Sequence, residues 1–217
     1  MKPLHRALLI AAACLATSAG AISAEDGPKW SPVSQAADLT VYERARKDSD
    51  LREFKAVGII AMPPEVVRRV LDDVDEYPRF MPYVTESRVL SRDGNSRVSY
   101  QRVSPPIVGD RDYTIRVRFE TRRMAGGGAC FCNRWQTAND LGPAAKAGVV
   151  RVKVTEGSWL LEPTTDGRQT RATYCIFSDS GGSLPPYIAN AASKTAIPKL
   201  FAAVRKQAEL EKYSAAR

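Results

Sequence analysis

Histidine and cysteine are the residues of this chain that most readily serve as nucleophiles, bases or metal ligands. The 217 residues include a single histidine, His5, and four cysteines. His5 lies in a predicted secretory signal, so the mature chain is expected to contain no imidazole. A Ser-His-Asp triad, a Cys-His dyad and a histidine metal site are therefore excluded for the mature chain. The sequence also contains no P-loop and no Gly-x-Gly-x-x-Gly motif.

Three cysteines would remain after processing, namely Cys130, Cys132 and Cys175. An odd number of cysteines cannot pair completely within one chain. Cys130 and Cys132 lie two residues apart on one predicted strand and cannot easily bridge. In an antiparallel meander Cys175 would lie two strands away, about 10 Å, which exceeds the ~7 Å between Cα atoms that a disulfide needs. We expect free thiols and no metal site, and one possible disulfide stays open.

Two charged residues share the phase of apolar neighbours on their predicted strands. Arg102 is two residues from Tyr100 and four from Val98, so it is predicted to face the same side of its strand as they do. Glu156 is predicted to share a side with Val152 and Val154 in the same way. Inside a cavity, either could contact the polar end of a ligand or take part in acid–base chemistry. The alternative is a position in contact with water at a tunnel mouth or bulge, because charges are seldom buried unpaired. No spacing of carboxylates or tyrosines indicates a catalytic pair, and no cofactor is expected. The absence of catalytic motifs favours binding over catalysis only in combination with the family resemblance described below.

Residues 1–24 have the pattern of a signal peptide. Lys2 and Arg6 supply a positive start, and the apolar stretch 8–15 is too short to span a bilayer as an ordinary helix. Residues 19–21 fit a cleavage site of small residues, and Ala24 is a second option. Lipid attachment at Cys14 is disfavoured because the preceding residues match that signal poorly. The expected location is periplasmic or secreted, in an oxidising compartment.

Length and charge indicate one basic domain. A mature chain of about 195 residues suits a single domain. The net charge of the whole chain is +8, which favours anionic partners. For an exported protein we expect transient contact with a membrane surface, no nucleic acid and a monomer. The basic residues are scattered, so an ordinary solvated surface also accounts for them.

Period-two alternation predicts an antiparallel meander that ends in a long helix. Residues 25–38 are expected to form a loose lead-in, because Pro28 and Pro32 break regular structure. A bulge is predicted at Gly157, and Pro198 should kink the last helix. That helix has a predicted apolar stripe of Ile188, Ala192, Thr195, Phe201, Val204 and Ala208. The predicted strands are residues 39–44, 53–61, 84–91, 97–103, 114–122, 129–136, 149–163 and 169–178.

Three segments of the chain resemble START domains, the steroidogenic acute regulatory-related lipid transfer family. In that family the final strand runs into an Asp-Pro-x-Gly-x-x-Pro-like turn, and an asparagine follows early in the last helix. Residues 179–190 match this pattern through Asp179, Pro185 and Asn190, with Ser180 where proline is usual. Residues 106–113 and 77–82 are also similar, and the latter resemble the coenzyme Q-binding family equally well.

The resemblance implies an α+β helix-grip fold in which a curved antiparallel sheet of about eight or nine strands wraps around the C-terminal helix. Residues 39–213 would form one START-like lipid-binding domain with an apolar tunnel. The implied function is binding and transport of a lipid or other hydrophobic small molecule. A cyclase- or aromatase-like enzyme and a ligand-free protein-interaction module are the alternatives. The loop at 137–148 matches a loop that borders the tunnel mouth in START domains.

The inward phase of each element, together with the two charged candidates, predicts a ligand-binding set. Its members are Tyr100, Arg102, Tyr113, Ile115, Val117, Phe131, Trp135, Glu156, Tyr174, Ile188 and Phe201.

Overall fold

The computed structural model describes residues 28–106, 108–124 and 128–214. The predicted signal peptide, its cleavage sites, and Cys14 therefore lie outside the described residues. Of the predicted lead-in, residues 28–38 are described.

One large sheet forms the body of the protein. Its strands are β1 Ser31–Ala36, β2 Leu39–Arg46, β3 Ser49–Ile60, β4 Val84–Asp93, β5 Ser96–Val103, β6 Arg111–Arg123, β7 Ala129–Thr137, β8 Val150–Arg151, β9 Val154–Pro163 and β10 Thr170–Asp179. Their order is β1-β2-β3-β10-β9-β7-β6-β5-β4, with antiparallel neighbours, and β8 adds to β6 in parallel. This architecture and the long helix that follows confirm the predicted helix-grip fold, with ten strands in the sheet among the described residues.

Two helices pack against the concave face of the sheet. The helix α1, Pro64–Asp72, begins with a proline, whose missing N–H has no partner in a first turn anyway. The long helix α3, Pro186–Ala208, lies against β3 and α1. Short elements complete the chain: α2 Tyr77–Phe80, α4 Glu211–Ser214, and 3₁₀ turns at Val74–Glu76 and Asn139–Leu141. No helix in the described residues is long and apolar enough to cross a membrane.

The lead-in is more regular than the sequence predicts. Ser31–Ala36 forms β1 and pairs with β2, so the expectation of a loose segment is wrong there. Pro32 is tolerated because β1 lies at the end of the sheet path, and an edge strand can lack an inward N–H donor.

The predicted bulge at Gly157 does not form. The pairing of β9 with β10 runs without a shift from Pro163 to Val154. The predicted strand 149–163 breaks instead at Val152 and Lys153, whose N–H groups bond to the carbonyls of Asp112 and Asp179. β7 pairs with β6 only from Ile115 onward, so β8 occupies the free end of β6. Because the strand is interrupted there, the alternation of inward and outward residues before the break does not continue into β9.

The last helix is anchored by the residue that the family resemblance singles out. The side-chain oxygen of Asn190 accepts the N–H of Arg52 at 2.9 Å, and its nitrogen donates to the carbonyl of Asp50 at 3.2 Å. The turn before the helix uses left-handed backbone at Gly181 and Gly182, with φ of 68° and 69°. The N-terminus of α3 is therefore held against the β2–β3 hairpin.

The apolar stripe of α3 is right in its second half and wrong in its first half. Phe201, Val204 and Ala208 are buried as predicted, whereas Ala192 and Thr195 are exposed. The first half contains many Ala, Ser and Thr residues, which do not distinguish a buried face from a wet one. There the inward positions are Ser193, Ala196, Ile197 and Leu200.

The strand order also bears on the cysteines. β10 and β7 are separated by β9, as the predicted meander requires. Cys130, Cys132 and Cys175 are free thiols in the structure. Burial raises the pKa of each thiol, because the charged thiolate is poorly solvated inside the protein.

Candidate functional site

A cavity of about 280 Å³ lies between the concave face of the sheet and α3. Residues of six strands, of α3 and of the segment around α2 surround it. Its walls are mainly apolar, with a few polar side chains. The lining residues are Leu71, Tyr77, Met81, Pro82, Tyr83, Val84, Arg97, Gln101, Val103, Tyr113, Ile115, Val117, Asn133, Trp135, Thr155, Trp159, Tyr174, Ile176, Ser193, Ala196, Ile197 and Leu200.

Aromatic rings make one wall of this cavity. Tyr174 stacks on Trp135 with ring centroids 5.7 Å apart and lies 4.7 Å from Trp159. Trp159 in turn packs on Phe201 of α3 at 5.2 Å. Trp135 can approach the sheet closely because Gly157 has no side chain: a Cβ there would lie 2.4 Å from its ring. The aromatic side chains of this wall are therefore held by their contacts with one another and with the backbone of β9.

Much of the predicted ligand-binding set lies around the cavity. Tyr113, Ile115, Val117, Trp135 and Tyr174 all line it. That these side chains touch a ligand stays a prediction.

Three other predicted residues do not line the cavity. Phe131 shares the inner face of β7 but belongs to the core and to a second cavity. Phe201 is fully buried against Gly58 and Trp159. Ile188 is half-buried in the first turn of α3.

Tyr100 and Arg102 are on the outer face of β5, so their predicted inward phase is wrong. The inner face of this strand carries Arg97, Gln101 and Val103. Tyr100 is nevertheless fully buried, and its hydroxyl donates to Asp112 at 3.1 Å. Burial, followed by the charge of Asp112, raises the pKa of Tyr100 to about 12. Arg102 forms an ion pair with Asp110 outside the cavity.

The loop predicted to border the tunnel mouth contacts the neighbouring strand β6 instead. Asn139 accepts the N–H of Thr114 at 2.9 Å and donates to the carbonyl of Val152 at 2.8 Å. A Cβ on Gly142 would lie 1.9 Å from the Thr114 hydroxyl, on the outer face of β6. The loop therefore packs on the convex side of the sheet, and its predicted place at the mouth is wrong.

Glu156 is also on the outer face, where it forms an ion pair with Arg46. Because β9 has no bulge, Thr155, Gly157 and Trp159 form its inner row. The prediction that Glu156 shares the inner face is therefore wrong.

Arg97 is the functional candidate that sequence reasoning missed. It lines the cavity at 3% exposure. Its Nη1 donates to the carbonyl of Asp72 at 3.0 Å and lies 3.9 Å from the carboxylate of that residue. Among the described residues its Nε has no hydrogen-bond partner. Burial lowers the pKa of Arg97 and raises the pKa of Asp72, since each charged form is poorly solvated.

The tyrosines of the cavity are poor proton carriers at neutral pH. Burial raises the pKa of Tyr113 to about 12 and shifts the pKa of Tyr77 and Tyr174 further upward. The Tyr113 hydroxyl donates to Gln101 at 2.7 Å, and the Tyr77 hydroxyl donates to the carbonyl of Leu71 at 2.7 Å. These phenols stay neutral and can serve as hydrogen-bonding groups for a ligand.

A curved sheet closed by its last helix over an apolar cavity is the architecture of a START-like domain. Residues 60–205 match the family described as "Polyketide cyclase / dehydrase and lipid transport". The chain belongs to this family, whose description covers both enzymes and lipid carriers.

Individual relatives extend over most of the chain. It is 27% identical to the phosphatidylcholine transfer protein of Rattus norvegicus over 178 residues, which is 81% of each chain. A STAR-related lipid transfer protein from Xanthomonas axonopodis is 26% identical, with a TM-score of 0.74, over 83% of this chain and 99% of that one. Human STARD10 shares the fold at 22% identity, with a TM-score of 0.72, over 86% of this chain and 74% of that one.

Proposed function

We propose that this protein binds a lipid or another hydrophobic small molecule in the cavity under α3. The observation that carries the proposal is the apolar, aromatic-walled space of about 280 Å³ between sheet and helix. Transfer of a ligand from water into it is favoured by roughly 25 cal/mol per Å² of apolar surface removed. The similarity to proteins named for lipid and phosphatidylcholine transfer supports the same function.

The cavity volume limits what can bind without a change in structure. At about 280 Å³ the cavity lies just below the usual range for ligand pockets, roughly 300–1,000 Å³. A single hydrocarbon chain suits this space, whereas a lipid with two chains requires α3 to move. Lys199 of α3 donates to the hydroxyl of the lining residue Tyr83 at 2.8 Å, and a movement of α3 would have to break that contact.

An enzymatic role is not favoured by the groups in the cavity. Among the described lining residues there is no carboxylate, imidazole or thiol. The phenols have raised pKa values and are therefore weak acids, unsuited to donating a proton near neutral pH. Binding and transport, without a covalent step, fit this set of side chains.

We further propose that the protein acts outside the cytoplasm and visits membrane surfaces while carrying its ligand. The sequence of residues 1–24 supports export, and the chain stays basic without Lys2 and Arg6, since 30 Lys and Arg against 24 Asp and Glu leave a net charge of +6. N-terminal sequencing of the protein from its native host should find a chain that begins at Ile22 or Glu25. A chain that begins at Met1 would contradict export.

The direct test of binding is mass spectrometry of the protein purified without detergent. Under native conditions we expect a mass increment, and organic extraction should release a hydrophobic molecule of that mass. Reloading the extracted protein with this molecule should restore the increment. An unoccupied protein that also fails to take up lipid from vesicles would contradict the proposal.

A further inference from the structure

The outer face of the β6–β7 hairpin carries a group of arginines on the side of the sheet opposite to the cavity. Val117 of β6 and Trp135 of β7 line the cavity, so the residues an odd number of positions away from them on each strand point outward. The cations at these outward positions form what we call the arginine face, and they are Arg116, Arg118, Arg122 and Arg134.

The charge of the arginine face is not neutralised within the described part of the chain. The side chains of Arg116, Arg118 and Arg122 have no ion-pair or hydrogen-bond partner among the described residues. Arg134 lies 4.0 Å from Glu120, and both side chains are mostly exposed, so this pair contributes little to stability. Glu120 is the one acidic residue in β7 and in β6 from position 116 onward. The face therefore has a surplus of positive charge.

Two of these arginines also repel each other. Arg118 and Arg134 are direct partners in the pairing of β6 with β7. Like charges directly opposite each other on one face of a sheet destabilise it. The residues on the other side of each arginine, Ser96 of β5 and Ser158 of β9, are neutral. A repulsive pair that the fold itself does not require is typical of a surface kept for binding.

The kind of cation and its spacing favour carboxylates as the partner groups. Every cation of the arginine face is an arginine, which binds a carboxylate through two parallel hydrogen bonds. Arginine is also enriched at protein interfaces, where lysine is depleted. Residues two apart on a strand are about 7 Å apart, and Arg116 to Arg122 span about 20 Å. An extended segment with a carboxylate at every second residue matches this spacing.

The position of the arginine face favours a protein over a membrane as its partner. The face lies on the opposite side of the sheet from the cavity and α3. A bilayer that gives or receives the ligand has to meet the concave side of the protein, where the cavity lies. Docking through the arginine face turns the cavity away from the partner and leaves it free to exchange its ligand.

We infer that the arginine face docks an acidic segment of another protein, extended along β6 with carboxylates at alternate positions. These carboxylates would also relieve the repulsion between Arg118 and Arg134. This partner is separate from the ligand in the cavity and from any bilayer that the protein visits.

The test titrates a fluorescent peptide of about ten residues, alternating glutamate and serine, into the mature protein at low salt. We expect the peptide to bind, with an affinity that falls as the salt concentration rises. The same peptide with glutamine in place of glutamate should not bind. Arg118→Gln combined with Arg134→Gln should weaken binding of the acidic peptide by about fivefold or more. This double variant should melt at the same or a higher temperature and take up lipid from vesicles as the unmodified protein does.

A matched double variant separates this face from the net charge of the protein. Arg168→Gln with Lys206→Gln removes two exposed cations, one from the β9–β10 turn and one from α3. It should leave peptide affinity within about twofold, because screening confines exposed charges to their own surroundings. If the first double variant does not fold, Arg118→Gln alone changes an exposed side chain and should weaken peptide binding by about twofold.

Several results would overturn the inference. A protein that does not bind the acidic peptide, or binds the glutamine peptide as well, has no such docking face. Equal weakening by the two double variants would show an effect of net charge alone. If the Arg118 and Arg134 variant loses binding to phosphatidylglycerol vesicles but keeps binding to the peptide, the face docks on membranes instead. A lower melting temperature of that variant would assign the two arginines a structural role. The proposed ligand binding stands or fails separately, by the mass increment of the purified protein.

Discussion

Val117→Trp is expected to lower the affinity for hydrophobic ligands by at least tenfold, about 1.4 kcal/mol, while the protein stays folded. Val117 lies on β6 opposite Trp135, is 3% exposed and lines the cavity. An indole there would extend into a space of only about 280 Å³. Because that space is open, the overpacking cost should stay at the low end of about 1–3 kcal/mol.

Arg118→Trp is the matched control for this prediction. Arg118 is the next residue on β6, exposed on the outer face, so the same indole would not reach the cavity. Lipid uptake from vesicles and the thermal midpoint would be measured for both variants. If Val117→Trp melts cooperatively and takes up as much lipid as the control, the ligand does not occupy this cavity. Ala196→Phe narrows the cavity from the helix side and serves if the first variant unfolds.

Gly157→Ala is expected to destabilise the protein by at least about 2 kcal/mol, because overpacking a tight site forces backbone and side chains to shift. A Cβ at this position would lie 2.1 Å from the carbonyl oxygen of Cys175 and 2.4 Å from the ring of Trp135. Trp135 would have to leave its stacked position on Tyr174. We therefore expect weaker ligand binding and a shifted tryptophan emission as well, both measured alongside urea unfolding.

Gly109→Ala provides the comparison for the glycine prediction. A Cβ on Gly109 would meet no heavy atom within 4 Å. This variant should unfold within about 0.5 kcal/mol of the unmodified protein, as surface substitutions usually do. Equal unfolding free energies for the two variants would show that the backbone at Gly157 relaxes freely.

Local sequence patterns are reliable where only one row of an element is apolar. Tyr113, Ile115 and Val117 alternate with polar residues on β6, and they do face the cavity. The inner rows of β3 and β10 were equally predictable, since Phe54, Ala56, Ala172 and Tyr174 are buried as their phase indicates. The glycine–proline turn and Asn190 indicated where the last helix begins, and a side chain that bonds two backbone groups holds it there.

The same patterns fail where the outer row is the apolar one. On β5, Val98 and Tyr100 are buried although they point away from the cavity, and Tyr100 is held there by Asp112 and by Arg88, whose guanidinium carbon is 5.2 Å from its ring centroid. An apolar row then no longer marks the inner face. The prediction that placed Arg102 inside, and that passed over Arg97, follows from this one ambiguity.

By itself, the sequence determined most strand positions and much of the aromatic wall of the cavity, because those depend on alternation and on local turn chemistry. The helix-grip class was implied by the resemblance of three segments to START domains. Only the tertiary structure decided which arginine faces the cavity and that it meets Asp72. Arg97 and Asp72 are 25 residues apart and belong to a strand and a helix end whose contact no local pattern encodes. The cavity is likewise a property of packing, since its volume is the space that β6, β9 and α3 leave between them.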